Sequence, residues 1–271
     1  MSNSTPSPPA PLWSPSSDQV ADTEVARLCQ SLDLDVSWES LHDWSITSPE
    51  EFWTTVWNRY ALIGDRGECI IERGERFRET RFFPDASLNL AENLLMRPQR
   101  LPESDAITSS NETGQLRSVT LAELRDEVSL LQQAMVAAGI GVGDTVAAWL
   151  PNITEAIAVF LAANSLGAVF TSSSPDFGVD GVVDRFGQVA PKLLFATDAY
   201  LYAGKTHSTT ERLAEIVSLL PSLRATIVIP YLNAEPETPD GTSSLADFVG
   251  CLLYTSPSPR DRNRSRMPSS A

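Results

Sequence analysis

Residues 145–178 read TVAAWLPNITEAIAVFLAANSLGAVFTSSSPDFG, and this stretch decides the fold. Thr145 to Leu150 is a short apolar run stopped by Pro151, the pattern of a strand buried on both faces. Asn152 and Glu155 are placed to open a nearly all-apolar helix that runs to Leu166 and ends at Gly167. Ala168 to Thr171 then reads as a second strand, followed by the loop SSSPDFG. A strand, a helix and a strand at this spacing imply a right-handed crossover between parallel strands.

The pattern continues in both directions. Upstream, strands are expected at Ala106–Thr108 and Leu116–Val119. A helix follows, opened by a capping box of Thr120 and Glu123. Leu121, Leu124, Val128, Leu131, Met135 and Ala138 recur at steps of three and four, and Gly139 stands where a C-terminal cap belongs. Downstream come a helix over Val179–Val189 stopped by Pro191, a strand Leu193–Thr197 and a loop DAYLYAGKTH. A helix opened by Ser208 and Glu211 as a second capping box and a strand Ala225–Ile229 complete the series; residues after Pro230 are turn-rich and weakly patterned. The expected fold class is α/β, an aromatic-rich N-terminal helical segment followed by incomplete βαβ units of one large domain. Residues 1–12 read as a disordered Pro/Ser-rich tail, 13–100 as the N-terminal segment and 101–250 as the partial α/β domain. The N-terminal segment holds five of the six Trp. In SPEEFWTTVWNRY, Ser48 suits a cap and Pro49 the first helical position; Phe52, Val56 and Tyr60 form one stripe with Trp53 and Trp57 beside it.

The 271 residues include 20 Lys plus Arg against 35 Asp plus Glu, a formal charge of −15, with 42% hydrophobic residues. That is enough apolar chain for a sizeable core, and the acidity disfavours nucleic-acid and anionic-membrane partners. The longest apolar run, Ala156–Ala163, is far short of the roughly 20 residues of a membrane span. Three cysteines (Cys29, Cys69, Cys251) and the lack of a signal-peptide pattern fit a cytoplasmic chain without a disulfide framework.

Few residues announce chemistry. The glycines of GIGVGD (Gly139, Gly141, Gly143) follow a helix and precede a strand, the reverse of a dinucleotide fingerprint. No GxxxxGK[ST] string occurs. His42 and His207 lie far apart without clustered Cys or acids, so neither marks a metal site or a triad, and Asp33 with Asp35 reads as a solvated loop. The loops SSSPDFG and DAYLYAGKTH matter more, because ligands of open parallel sheets gather at the strands' carboxyl ends. In the second, Tyr200 and Tyr202 are suited to flank a base or an acyl chain and Lys205 to meet a phosphate; two ordinary surface turns account for the same residues.

The strings PLWSP (11–15), LHDWSITSPEEFW (41–53), RFFPDASLNLAENLL (81–95), LPNITEAIAVFLAANSLGAVFTSSSPDFG (150–178), VVDRFGQVAPKLLF (182–195) and YLYAGK (200–205) carry a resemblance. They are similar to the N-terminal part of the acetoacetate–CoA ligase family, in the adenylate-forming acyl-CoA synthetase superfamily, with SPDFG and DRFGQ pointing to the acetoacetate branch. The resemblance implies a large adenylate-forming domain and a two-step reaction on small-molecule substrates. Acetoacetate attacks the α-phosphate of ATP with Mg²⁺ present, giving an acyl-adenylate and pyrophosphate, and CoA then displaces AMP. It also implies that the ATP phosphate loop and a C-terminal lysine domain lie beyond residue 250, so that no catalytic residue is expected in this chain and the fragment alone is expected to be inactive. By position it makes Lys205, Tyr202, Phe177, Asp176 and Pro175 candidates for the CoA region. Tyr202 departs from the basic residue the family carries there, so only Lys205 keeps the charge-based role. The alternatives are an acetate or propionate ligase and a non-enzymatic CoA-binding module.

The last stretch, CLLYTSPSPRDRNRSRMPSSA (251–271), breaks the pattern. Ser and Pro dominate, and four Arg face one Asp. CLLYTSPSPRD and SRMPSSA resemble a translated sequencing-library adapter, with Arg262–Arg264 in the place of its variable index; a disordered basic tail is the plainer reading.

Overall fold

The computed structural model describes residues 12–96, 100–114, 116–233 and 238–253. The expected N-terminal tail (1–12) and the adapter-like tail (251–271) therefore fall almost wholly outside the described residues. The described chain divides into two compact units, one formed by the residues up to Leu62 with Arg66–Ala86, the other by Ile63–Asp65 with the residues from Ser87 on.

The first unit is helical. It contains α1 (Ser17–Ala21), α2 (Glu24–Ser31), α3 (Trp38–Thr47) and α4 (Pro49–Arg59); β1 (Gly64–Asp65) belongs to the second unit, and β2 (Ile71–Glu72) pairs antiparallel with β3 (Arg81–Phe82). Ser48 and Pro49 start α4 as expected, although the Ser48 side chain makes no capping bond. The buried stripe differs from the expected one. Trp57 is buried and packs on Phe83, with ring centroids 5.1 Å apart, whereas Tyr60 is exposed.

The second unit contains the sheet. β1 pairs antiparallel with β4 (Ser87–Leu88), α5 (Leu90–Leu95) follows, and β5 (Asp105–Ser110) pairs antiparallel with β6 (Leu116–Thr120). α6 (Leu121–Ala137) has the expected capping box: the Glu123 N–H donates to Thr120 Oγ1 and the Thr120 N–H to the Glu123 carboxylate. Gly139, with φ of 76°, closes it: its N–H donates to the Val136 carbonyl and that of Ile140 to Met135, both at 2.9 Å. Then come β7 (Thr145–Trp149), α7 (Thr154–Ser165), β8 (Val169–Ser173), α8 (Val179–Gly187) and β9 (Leu193–Thr197). The series ends with β10 (Ala199–Tyr202), β11 (Lys205–Ser208), α9 (Thr210–Leu219), β12 (Ala225–Ile229), β13 (Ser243–Ser244) and α10 (Leu245–Leu253).

The five-stranded sheet is ordered β13-β12-β9-β7-β8, and every pairing in it is parallel. Side chains alternate between its faces. Val146, Ala148, Leu193, Phe195, Ile227 and Ile229 pack with α6 and α7 on one side; Ala147, Trp149, Leu194, Ala196 and Val228 pack with α8 and α9 on the other. Each fully buried Leu, Ile or Phe contributes roughly 1.5–3 kcal/mol of transfer free energy, so both layers are held by ordinary apolar burial.

Four local expectations are corrected. α7 begins at Thr154 with Ile153 as its cap and no side-chain capping bond, so Asn152 does not open it, and Glu155 pairs instead with Arg117. DAYLYAGKTH is a β-hairpin, with Ala199↔Ser208 to Tyr202↔Lys205 in register. Its two-residue turn, Ala203 and Gly204 at φ of 52° and 71°, has positive φ at both central positions, the geometry whose twist matches that of the paired strands. Ser208 ends that hairpin, so α9 is capped by Thr209 without a side-chain bond and Glu211 closes no capping box. The weakly patterned stretch after Pro230 includes β13 and α10, a helix that runs through Gly250 to Leu253.

Candidate functional site

From β7 the chain moves outward to β8 through α7 and then returns across β7 to β9 through α8, on the opposite face. The reversal places a topological switch point between β7 and β9, where the connections at the strands' carboxyl ends diverge and leave a crevice. Trp149 ends β7 and pairs with Ala196 of β9 on one side and Ser173 of β8 on the other.

Both candidate loops rise from this edge and are tied to it. The fully buried Trp149 donates from Nε1 to the Ser174 carbonyl at 3.1 Å. Arg212 of α9 donates to the Pro175 carbonyl at 3.2 Å and to that of Ser208 at 3.4 Å. The same guanidinium lies 5.2 Å from the Trp149 ring centroid and 5.6 Å from that of Tyr200. Tyr200 stacks on His207 across the hairpin at 5.0 Å. Arg185 of α8 covers the Phe177 ring at 4.2 Å.

The structure thus joins the loop and hairpin that sequence reasoning singled out separately. Pro175 is buried, Asp176 exposed and Phe177 40% exposed. Tyr202 is 62% exposed and directly opposite the exposed Lys205. Tyr200 has one ring face stacked on His207 and the Arg212 guanidinium 5.6 Å from its centroid. Arg212 belongs to no sequence motif, and Arg185 belongs to DRFGQ, a string that marks the resemblance without giving this residue a role; the signal that would have found both is a cation in the first or last turn of a helix flanking a candidate loop. His42 lies on the surface beside Asp43, and the GIGVGD turn sits at the opposite, amino end of β7, where Asp144 accepts from the Gly141 N–H and pairs with Lys192. That pairing, and next the Gly141 bond, holds the Asp144 carboxyl below its usual range.

The hairpin and neighbouring strand ends are braced from outside. The Glu112 carboxylate accepts from the Ala203 and Gly204 N–H groups at 3.1 and 2.7 Å. Buried Asp198 accepts from the Tyr231 and Asn233 N–H groups at 2.7 and 3.1 Å, linking the ends of β9 and β12. The Thr209 hydroxyl donates to the Thr197 carbonyl, closing the base of the hairpin. Beside this edge a polar pocket of about 150 Å³ lies at the start of α7, lined among others by Arg117, Asn152, Thr154 and Tyr231. Among the described residues no group of three His, Cys, Asp or Glu is placed to hold a metal ion, and no helix is long and apolar enough to cross a membrane.

The family model described as AMP-binding enzyme matches residues 95–263, which spans the sheet and both loops. The chain belongs to the AMP-binding enzyme family. Among curated relatives, the acetoacetyl-coenzyme A synthetase of Rhizobium meliloti (strain 1021) is 40% identical over 250 residues, covering 88% of this chain and 37% of the relative. The acetoacetyl-CoA synthetase of Danio rerio is 36% identical over 233 residues, covering 84% and 34%. The malonamoyl-CoA synthetase of Penicillium aethiopicum is 37% identical over 198 residues, covering 71% and 27%. The solved acetoacetyl-CoA synthetase from Streptomyces lividans superposes with a TM-score of 0.80 at 35% identity, over 89% of this chain and 38% of that one. The chain therefore has the fold of that enzyme's corresponding region, and it spans little more than a third of the length of the curated relatives it matches.

Proposed function

We propose that the complete protein is an ATP-dependent acetoacetate–CoA ligase of the cytoplasm, and that the edge built from SSSPDFG and the 199–208 hairpin receives the nucleotide end of CoA. The observation that carries this is the joining of the two loops at the switch point, in a chain 40% identical to an acetoacetyl-coenzyme A synthetase. The residues present fit the coenzyme. Phe177 and Tyr202 offer exposed aromatic faces for a base, and Lys205 offers a cation with no ion pair among the described residues. CoA supplies the thiol that accepts the acyl group; the side chains of this edge bind and orient its nucleotide. Asp176 and Pro175 belong to the same surface, Asp176 by exposure and Pro175 through its held carbonyl. ATP and Mg²⁺ would be handled by residues beyond residue 250, and 251–271 is read as adapter translation, which sequencing the transcript past Gly250 checks.

Acetoacetate-dependent exchange of pyrophosphate into ATP by the complete enzyme tests the ligase reading, and exchange with acetate or propionate but not acetoacetate would overturn it. The malonamoyl-CoA synthetase relative favours a second reading, a ligase for another short acid with a β-carbonyl, which malonamate in the same assay would reveal. For the coenzyme edge, Lys205→Ala should raise KM for CoA about three- to tenfold, the value of one exposed charge-assisted contact, and leave pyrophosphate exchange unchanged. An unaltered KM for CoA removes Lys205 from the site.

A further inference from the structure

Arg212 touches both halves of the proposed coenzyme edge. Its planar guanidinium presents five N–H donors in a fixed fork. One arm reaches the Pro175 carbonyl, 37 residues away in sequence, and the other the Ser208 carbonyl at the hairpin's end. Its face meets Trp149, which itself holds the neighbouring Ser174 carbonyl, so two consecutive carbonyls of the SSSPDFG loop are pinned by two donors that pack on each other. Its contact with Tyr200 then fixes the hairpin against the same point.

The charge of Arg212 is also uncompensated. Among the described residues it forms no ion pair, nor do Arg185 and Lys205, whereas Arg27, Arg59, Arg117 and Lys192 all do. A bracing guanidinium does not need an ion pair: Arg125 donates to the Leu95 carbonyl and forms none among the described residues, so what distinguishes Arg212 is its position between the loop and the hairpin. At that position it is a fixed positive charge within reach of an anionic ligand bound across both.

We infer that Arg212 is a positioning residue for the thioester-forming step, locking the SSSPDFG loop and the 199–208 hairpin into one surface for the phosphorylated nucleotide of CoA. This rests on the coenzyme reading of the edge. The second half-reaction depends on Arg212 and the first does not, because adenylation involves no CoA.

The test uses the complete enzyme carrying Arg212→Met, which keeps apolar bulk but loses fork and charge, and Arg212→Lys, which keeps the charge alone. CoA affinity is read by calorimetry, KM for CoA from thioester formation, and the first half-reaction from acetoacetate-dependent pyrophosphate exchange. Arg212→Met should weaken CoA binding and raise its KM about tenfold, Arg212→Lys by less, while exchange stays within about twofold of wild type. CoA affinity within twofold of wild type in both variants, or a parallel loss of exchange and thioester formation, overturns the inference. If Arg212→Met does not fold, Arg212→Lys decides by the same criteria. A wild-type enzyme that binds no CoA overturns the coenzyme reading itself, a result separate from equal binding by wild type and variants.

Discussion

Replacing Trp149 with Phe isolates the link between the core and the proposed coenzyme edge. Trp149 is fully buried, and its indole N–H holds the Ser174 carbonyl at 3.1 Å. Phenylalanine keeps an aromatic ring at the end of β7 but removes the donor and part of the bulk. A void of roughly 40 Å³ at about 24 cal/mol per Å³ costs about 1 kcal/mol. Losing the hydrogen bond to the carbonyl of exposed Ser174 adds about 0.5–1.5 kcal/mol, and the weaker ring beneath Arg212 a few tenths. The sum is about 2–3 kcal/mol. At roughly 2–4 °C per kcal/mol for a domain of this size, Tm measured by scanning fluorimetry should fall roughly 4–12 °C. KM for CoA should rise as well, since the freed loop carries Pro175 to Phe177. A shift below about 1 °C with an unchanged KM would show that the indole N–H anchors nothing and would refute the packing argument.

Two further outcomes follow from buried polar groups outside the edge. Burial, and next the nearby Glu155 carboxylate, pushes the Glu127 carboxyl above its ordinary 4.5, so the folded state favours the protonated form. Stability from this group is present below that ordinary value and lost as pH rises through the raised one. Glu127→Gln should therefore stabilise the protein at pH 7 and make no difference near pH 4, and an equal effect at both pH values in urea titrations would contradict the burial cause. Thr154 is 1% exposed and its hydroxyl has no partner among the described residues, so Thr154→Val should stabilise the 271-residue chain by about 1 kcal/mol; a loss of stability would mean that the hydroxyl is satisfied in solution.

The parts of this fold legible in the sequence are those governed by contacts three or four residues apart. The apolar recurrence of α6, its Thr120–Glu123 box and the Gly139 cap all depend on neighbours along the chain, and all are found as expected. The hairpin was hidden because its alternation, Ala-Tyr-Leu-Tyr, is short, and because its turn puts alanine where a left-handed glycine or asparagine is the usual signal. The starts of α7 and α9 were misplaced for a different reason: Asn152 and Ser208 are good caps in isolation, but the parallel sheet fixes where β7 and the hairpin end, and each helix begins only after that point. Arg212 was invisible because nothing local marks it. Its significance comes from Pro175, Tyr200 and Trp149, which the crossovers bring together from a loop, a hairpin and the end of β7.

The same topology explains how so acidic a chain can offer a surface to a polyanion. At long range a molecule of −15 repels CoA, but at about 0.15 M salt that repulsion is screened over roughly 8 Å and only nearby charges act on the ligand. Near the edge the relevant cations are Arg185, Lys205 and Arg212, contributed by α8, β11 and α9, the elements that follow the two diverging strands. Glu112, the acid that reaches the hairpin, spends its carboxylate on the Ala203 and Gly204 N–H groups. Asp184 and Glu211 are neighbours of these cations along the chain and Asp176 lies in the loop itself, so the edge carries both signs, and an anionic ligand is drawn by direct contact with the three cations rather than by a uniformly positive field. A compact phosphorylated ligand samples one edge and not the whole surface, so the proposed coenzyme site depends on the cations within reach of it rather than on the net charge of the chain.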